Sequence, residues 1–458
     1  MRTIAAISTS PGIGGIGIVR ISGQNCFNIV EKIFKPKNYQ HIDNINPYTI
    51  KYGFIVDSKT KETIDEVLVS YFKSPYSYTT EDTCEINCHG GMNIIRKILN
   101  VVLENGAEIA EPGEFTKKAF LNGRIDLSQA EAVIDIINSK SDKESKASLN
   151  QLEGALSKKI QDINKELVNL MVDIEASIDY PEYDVEEVTN FKIWNVLESV
   201  KSKLYSLINT FENGKIIKEG IKTAIIGRPN VGKSSLLNAI LKEERAIVTS
   251  EAGTTRDTIE EYINIKGLPL KIIDTAGIRN ADNMIEKIGI EKAKKIANEA
   301  DLVIAIFDST ESLKKEDKEI LKFIKNKNCI IILNKNDLAI EIDENEESIK
   351  KSNKKVIKIS TFNLEGIDKL EEEILNIYNL DKISIENDVI ITNLRHKEAI
   401  IKAFKNVEKS IEIVKQQLPI DIMAINIKEA MENLGQITGT TVSEDIIQGI
   451  FSKFCLGK

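Results

Sequence analysis

The stretch Lys222–Leu237, K-T-A-I-I-G-R-P-N-V-G-K-S-S-L-L, restricts what this chain can fold into more than any other part of it. An apolar run, Ala224, Ile225 and Ile226, ends in Gly227, and Gly232-Lys233-Ser234 follows at the spacing G-x-x-x-x-G-K-S. That spacing predicts a phosphate-binding loop between a strand and a helix. Gly227 and Gly232 permit backbone dihedrals that turn successive N–H groups inward toward phosphate oxygens. Lys233 adds a point charge against the terminal phosphates, and the Ser234 hydroxyl is placed to ligate Mg²⁺. Leu236, Leu237, Ile240 and Leu241 share one side of the helix that follows.

The surrounding block, residues 216–378, reads as a complete α/β domain. Strands are predicted at Lys222–Gly227, Tyr262–Lys266, Leu270–Asp274, Leu302–Asp308, Ile330–Asn334 and Val356–Ile359, alternating with helical patterns as in a doubly wound sheet. Four further motifs follow in order. Thr249-Ser250-Glu251-Ala252-Gly253-Thr254-Thr255-Arg256-Asp257 is a segment whose Thr255 can complete Mg²⁺ coordination. Asp274-Thr275-Ala276-Gly277 ends a strand, where Asp274 can reach Mg²⁺ through water and the Gly277 N–H can meet a γ-phosphate. Asn334-Lys335-Asn336-Asp337 ends another strand, and Asp337 is suited to accept from the N1–H and exocyclic amine of guanine. Ser360 begins a shorter base-contacting loop. With Asn230, Val231, Gly232, Lys233, Ser234 and Ser235 these segments make a Ras-like site for GTP and Mg²⁺.

The usual water-positioning glutamine after D-x-x-G is missing, because that place is Ile278. Another group must orient water and neutralise developing charge. Glu286 can act through a second water, and Arg256 and Arg279 are nearby charges. Asn230 stands in the phosphate loop itself, where it can hold a monovalent cation beside the phosphates. Glu286 and Asn230 are therefore the catalytic candidates.

At 458 residues the chain has room for about three domains. Residues 1–118 read as an α+β domain, with strands at Thr3–Ile7, Ile18–Ile21, Tyr48–Val56, Asp65–Phe72 and Cys84–Cys88. The run Pro11–Gly17, P-G-I-G-G-I-G, has no helix pattern directly after it and predicts close backbone packing or a hairpin. A helix opens after His89-Gly90-Gly91, with Ile94, Ile95, Ile98, Leu99 and Val102 on its apolar side. Residues 119–215 turn helical. Ser128-Gln129-Ala130-Glu131 reads as a capping box, a stripe from Leu149 to Ile174 predicts one long amphipathic helix, and Ile193 to Phe211 predicts another. Helix returns over 379–458, broken at Pro419, with short helices over Ile425–Leu434 and Ser443–Phe454. One helical domain with the nucleotide domain inserted into it accounts for this order. Cys26, Cys84, Cys88, Cys329 and Cys455 are too sparse for a disulfide framework, and the alternation of E-I-N-C-H favours buried thiols over a metal site.

A net charge of −9 gives no global attraction to nucleic acid, so an RNA partner needs a local basic patch or a basic helper protein. Met1–Ser10 has no long apolar core and no run approaches a membrane span, which predicts a cytoplasmic protein with no membrane partner.

The phosphate loop, T-S-E-A-G-T-T-R-D and D-T-A-G-I resemble the hydrophobic-substituted GTPases of the Era-like group. The N-terminal P-G-I-G-G-I-G-I-V-R, H-G-G at 89–91, E-P-G-E-F-T at 111–116 and the terminal F-C-L-G-K together resemble the MnmE (TrmE) family of tRNA modification GTPases, over essentially the whole chain. The resemblance implies a homodimer joined through a tetrahydrofolate-binding-like N-terminal domain. It implies a heterotetramer with the FAD-containing MnmG, and tRNA as the substrate. The pair adds a carboxymethylaminomethyl or other aminomethyl-type group at carbon 5 of the wobble uridine, using a 5-formyl or 5,10-methylene tetrahydrofolate. Folate contacts carry over to Arg20, Glu85, Arg124 and Lys458. The resemblance also implies K⁺ held by Asn230 with Thr249, Glu251 and Thr254, and assistance to hydrolysis from Glu286. A ribosome-assembly GTPase is the main rival, but it would carry a basic RNA-binding module after its GTPase domain. A stand-alone folate-dependent aminomethyltransferase would not need residues 216–378.

Overall fold

The structure is a computed structural model that describes residues 2–37, 48–179, 190–242, 261–273, 295–378 and 389–458. It divides into two compact units. Met1–Ile134, Leu152–Lys165 and Lys428–Lys458 form one, and Asp135–Gln151 with Glu166–Ile427 form the other.

The first unit is built on seven strands: β1 (Ile4–Ile7), β2 (Ile16–Ser22), β3 (Phe34–Pro36), β4 (Thr49–Val56), β5 (Thr63–Phe72), β6 (Thr83–His89) and β7 (Glu108–Ile109). Their order is β3-β4-β5-β6-β2-β1-β7. Only β1 and β7 pair in parallel. The glycine run joins β1 to β2 as an antiparallel pair with Ile4 opposite Ser22. Close packing is also real there. A Cβ on Gly17 would lie 2.3 Å from Ile95 Cδ1, and one on Gly90 2.2 Å from the Gly14 carbonyl oxygen.

Helices Cys26–Ile33 and Met92–Glu104 share a core with Val19, Ile21, Val67, Val69 and Ile86. Cys26, Cys84 and Cys88 lie in that core, as does Cys329 in the core of the second unit. Alternation sends Tyr52 and Leu68, directly paired across β4 and β5, outward with Ile50. Strands β3 and β7, three and two residues long, are too short to leave a periodic signal in the sequence.

Three local expectations need correction. The helix starting near Ser128 runs Leu127–Asn138 and is capped two residues earlier than expected. Asp126 Oδ1 accepts the Gln129 N–H at 2.9 Å, and Gln129 Oε1 accepts the Asp126 N–H at 3.0 Å, so D-L-S-Q is the reciprocal box. Ser128 is instead buried and bonded to Ser157 at 3.0 Å. The stripe from Leu149 is not one helix. It breaks between Asp142–Leu152 and Ala155–Asp179, at Gly154 with φ +90°. The Leu152 carbonyl accepts from Gln129 Nε2 at 2.7 Å, so the interruption leaves that polar group satisfied. Beyond Pro419 the helix spans Ile420–Thr438, longer at both ends than its apolar stripe indicated.

The second unit carries six strands: β8 (Ile221–Ile226), β9 (Glu261–Ile265), β10 (Leu268–Ile272), β11 (Leu302–Asp308), β12 (Cys329–Asn334) and β13 (Lys355–Lys358). Their order is β13-β12-β11-β8-β10-β9, parallel except for β9. Lys266 and Gly267, both at positive φ, make the two-residue β9–β10 turn. Helices cover both faces. Ile304 and Ile306 pack with Leu236, Leu237, Leu370 and Ile374, whereas Val303, Ala305 and Phe307 pack with Ile320, Leu321 and Ile324. The helical segments on either side of this block meet. Asn190–Asn209 packs along Leu394–Lys415, with Lys201 3.1 Å from Glu408 and the Tyr205 and Phe404 rings 6.2 Å apart. Among the described residues no helix is long and apolar enough to cross a membrane.

Candidate functional site

The phosphate loop leaves the C-terminal end of β8, and the helix Lys233–Lys242 begins directly after it. Close approach explains both glycines. A Cβ on Gly227 would lie 2.5 Å from the Ile306 carbonyl oxygen, and one on Gly232 (φ +103°) 2.1 Å from Asn334 Nδ2. Asn230 sits at φ +63°, exposed at the loop tip. Lys233 Nζ donates to the carbonyls of Gly227 at 2.9 Å and Arg228 at 2.7 Å, and burial pushes its ammonium below the ordinary lysine range. Those bonds hold its charge over the loop.

The ends of β11 and β12 converge on this loop. Asn334, 1% exposed, donates from Nδ2 to the Val231 carbonyl at 2.9 Å and accepts the Thr361 N–H on Oδ1 at 3.2 Å. Lys335, at φ +64°, is paired with Asp308 at 2.5 Å. Burial opposes ionisation of Asp308, but hydrogen bonds from Lys335 and Thr310 outweigh it and hold the carboxyl below its usual range. Asp337 is exposed, and its Oδ1 accepts the buried Ser360 hydroxyl at 2.6 Å. An oriented carboxylate at a strand end, one loop from an anion cradle, is the chemistry needed to read a guanine edge while holding its phosphates.

Asn230, Val231, Gly232, Lys233, Ser234, Ser235, Asn334, Lys335, Asp337 and Ser360 thus fall around one end of the sheet. Thr249 to Thr255, Arg256, Asp274 to Gly277, Ile278, Arg279 and Glu286 lie outside the described residues. Sequence reasoning passed over Arg228 and Asp308. Arg228 Nε lies 2.8 Å from both carboxylate oxygens of the buried Asp317, which ties the loop to helix Lys315–Phe323. Nothing in the spacing of these residues signals that bond, because its partners are far apart in the chain.

The other predicted cluster assembles in the first unit. Arg20 on β2 faces Glu85 on β6 in register, and their side chains pair at 2.8 Å. The Arg20 guanidinium lies 5.6 Å from the ring centres of both Tyr78 and Phe115. Arg124 lies 4.9 Å from the Tyr78 ring and donates to the Tyr78 carbonyl at 3.3 Å. The C-terminus completes the group. The Gly457 carbonyl accepts from Arg20 Nη1 at 3.3 Å and from the Ser8 hydroxyl at 3.1 Å, and a Lys458 terminal oxygen accepts the Phe115 N–H at 3.2 Å. Gly457 is required there, since at φ +85° its Cβ would meet the Ile7 carbonyl oxygen at 2.2 Å. Tyr78, Phe115 and Gly457 were missed as site residues, although Phe115 lies in the E-P-G-E-F-T motif. Two cations, a carboxylate and two aromatic rings can hold a flat heterocycle with an acidic tail.

The family model described as "GTP-binding protein TrmE N-terminus" matches residues 3–124, and the model "MnmE helical domain" matches residues 127–455. A protein of Acetivibrio thermocellus called tRNA modification GTPase MnmE is 49% identical over 456 residues, covering 100% of this chain and 99% of that protein. Proteins with the same description in Thermoanaerobacter pseudethanolicus and Clostridioides difficile are 50% and 48% identical with the same coverage.

Proposed function

This chain belongs to the MnmE (TrmE) family of tRNA modification GTPases, and from that membership we propose that it is a K⁺-activated GTP hydrolase working with an FAD-containing partner on the wobble uridine of tRNA. GTP hydrolysis drives a conformational cycle, and a one-carbon tetrahydrofolate supplies the carbon of the aminomethyl-type group. The four segments 1–118, 119–215, 216–378 and 379–458 divide the work into folate binding and dimerisation, a two-part helical scaffold, and the inserted GTPase domain.

The observation that carries this reading is the seating of the C-terminal Gly457 against Arg20, in one cluster with Glu85, Tyr78 and Arg124. Arg20, Glu85, Arg124 and Lys458 suit a pterin edge and a glutamyl tail. In the loop, Asn230 offers an exposed side-chain oxygen of the hard type that K⁺ prefers, and Ser234 a hydroxyl of the type Mg²⁺ prefers. Bound there, the cations would neutralise charge developing on the phosphates. In this reading Thr249, Glu251, Thr254 and Thr255 would complete that ligand set, Asp274 would help to hold Mg²⁺, and Glu286 would assist the attacking water. The apolar outer face at Ile50, Tyr52 and Leu68 supports a homodimer through the N-terminal sheet. The work of the protein in this reading is cytoplasmic.

Mass spectrometry of wobble uridine in tRNA from a strain lacking the gene is the test. Loss of the aminomethyl-type modification, restored by the intact gene, is the expected result. Equal levels of the modified nucleoside in the two strains would overturn it.

A further inference from the structure

We propose that Phe362 is the stacking face for the purine ring at the nucleotide site, an affinity-setting contact that rests on the reading of Asn334–Asp337 as the guanine-binding segment. Phe362 is 86% exposed, the largest exposure of any phenylalanine or tyrosine among the described residues. A phenyl ring in water forgoes the burial that ordinarily makes aromatic residues stabilising. An exposed ring on a loose loop would call for no explanation, but this backbone is held on both sides. The Thr361 N–H donates to Asn334 Oδ1 at 3.2 Å, and the Asn363 N–H donates to the Ser360 hydroxyl at 3.1 Å. Ser360 in turn donates to Asp337 Oδ1 at 2.6 Å, and Ser360 and Glu365 exchange two backbone bonds of 3.1 Å that close the loop.

The bonds that orient the Asp337 carboxylate therefore also hold the backbone from which the Phe362 side chain projects. A carboxylate can recognise only the edge of guanine, through its N1–H and amine. The flat faces of the base still need apolar cover. An aromatic ring is the side chain that supplies it without competing for the edge hydrogen bonds. Lys335 is no substitute at its charged end, because its ammonium is committed to Asp308.

Leu338, Ile340 and Leu364 are also exposed along the same two segments, so an apolar rim for a protein partner is the competing reading. Affinity for the nucleotide separates the two. GDP binding to the full chain is measured by calorimetry for the native protein, Phe362→Ala and Phe362→Trp, with melting of each recorded with and without GDP. Phe362→Ala is expected to bind GDP roughly 5- to 150-fold more weakly, the range found when a base-stacking aromatic is truncated. Its melting temperature without GDP should match the native protein, and the GDP-induced rise should shrink. Phe362→Trp should keep native affinity and change its emission when GDP binds, against the steady signal of Trp194, the one native tryptophan. Native GDP affinity in Phe362→Ala would overturn the proposal while leaving the guanine reading intact. A native chain that does not bind GDP would remove both.

Discussion

Asn334 Nδ2 donates to the Val231 carbonyl across 2.9 Å, although the two residues are 103 positions apart in the chain. The same amide accepts the Thr361 N–H, so one buried side chain ties the phosphate loop to the N-K-N-D segment and to the loop after β13.

Asn334→Ala removes both bonds and leaves the Val231 carbonyl without that donor. Losing a buried hydrogen-bond partner costs about 1–3 kcal/mol. Affinity for GDP should fall by at least about tenfold, with a lower melting temperature, as read by calorimetry and circular dichroism. Asn334→Asp keeps an acceptor for Thr361 but sets a buried carboxylate oxygen against the Val231 carbonyl, so it should weaken GDP binding at least as much as Asn334→Ala.

Asn230→Lys should remove K⁺ stimulation of GTP hydrolysis while leaving GDP affinity near native. The new ammonium would occupy the place of the cation at the exposed loop tip. Initial rates of phosphate release in K⁺ and in Na⁺ decide it. Equal rates for the native protein in the two salts would sink the cation assignment altogether.

Glu144 is 5% exposed and accepts the Lys140 N–H at 2.6 Å. Burial pushes its carboxyl up to about 7 from 4.5, against the opposing effect of that hydrogen bond. Because the folded-state pKa is raised, the folded protein holds this proton between about pH 4.5 and 7 while the unfolded chain releases it. Stability from this group is therefore greatest below that window and falls as pH rises through it. Glu144→Gln keeps an acceptor for Lys140 without the charge. Melting scans should show the variant gaining over the native protein at pH 8 and little or nothing at pH 5.

Deletion of Gly457 and Lys458 removes the acceptor shared by Arg20 and Ser8 and the partner of the Phe115 N–H. Binding of 5-formyltetrahydrofolate should weaken by about tenfold or more, as expected for losing a hydrogen bond to a charged group. Equilibrium dialysis against the labelled folate measures it, and GDP binding serves as the control for folding of the other unit.

The phosphate loop and the N-K-N-D strand end were legible as local structure because their signals are local. A phosphate loop must follow one strand and precede one helix within a few residues, and the N-K-N-D run sets Asp337 three residues past the buried Asn334. The glycine spacing around Lys233 and the N-K-N-D run state those requirements directly. The Asp126–Gln129 cap was missed because Ser128 and Glu131 carry the same pattern two residues later. Only packing shows that Ser128 turns inward to Ser157.

By itself the sequence determined that a strand, a loop of two obligatory glycines and a helix would bind phosphate, and that helical segments would flank the inserted block. It determined this because backbone dihedrals and side-chain periodicity act over a few residues. Tertiary structure alone decided that Gly457 closes on Arg20, that Asp317 braces Arg228, and that Phe362 stands exposed on a loop pinned to Asp337. Those relations join residues tens to hundreds of positions apart. They depend on strand register and chain return, which no short stretch of sequence encodes.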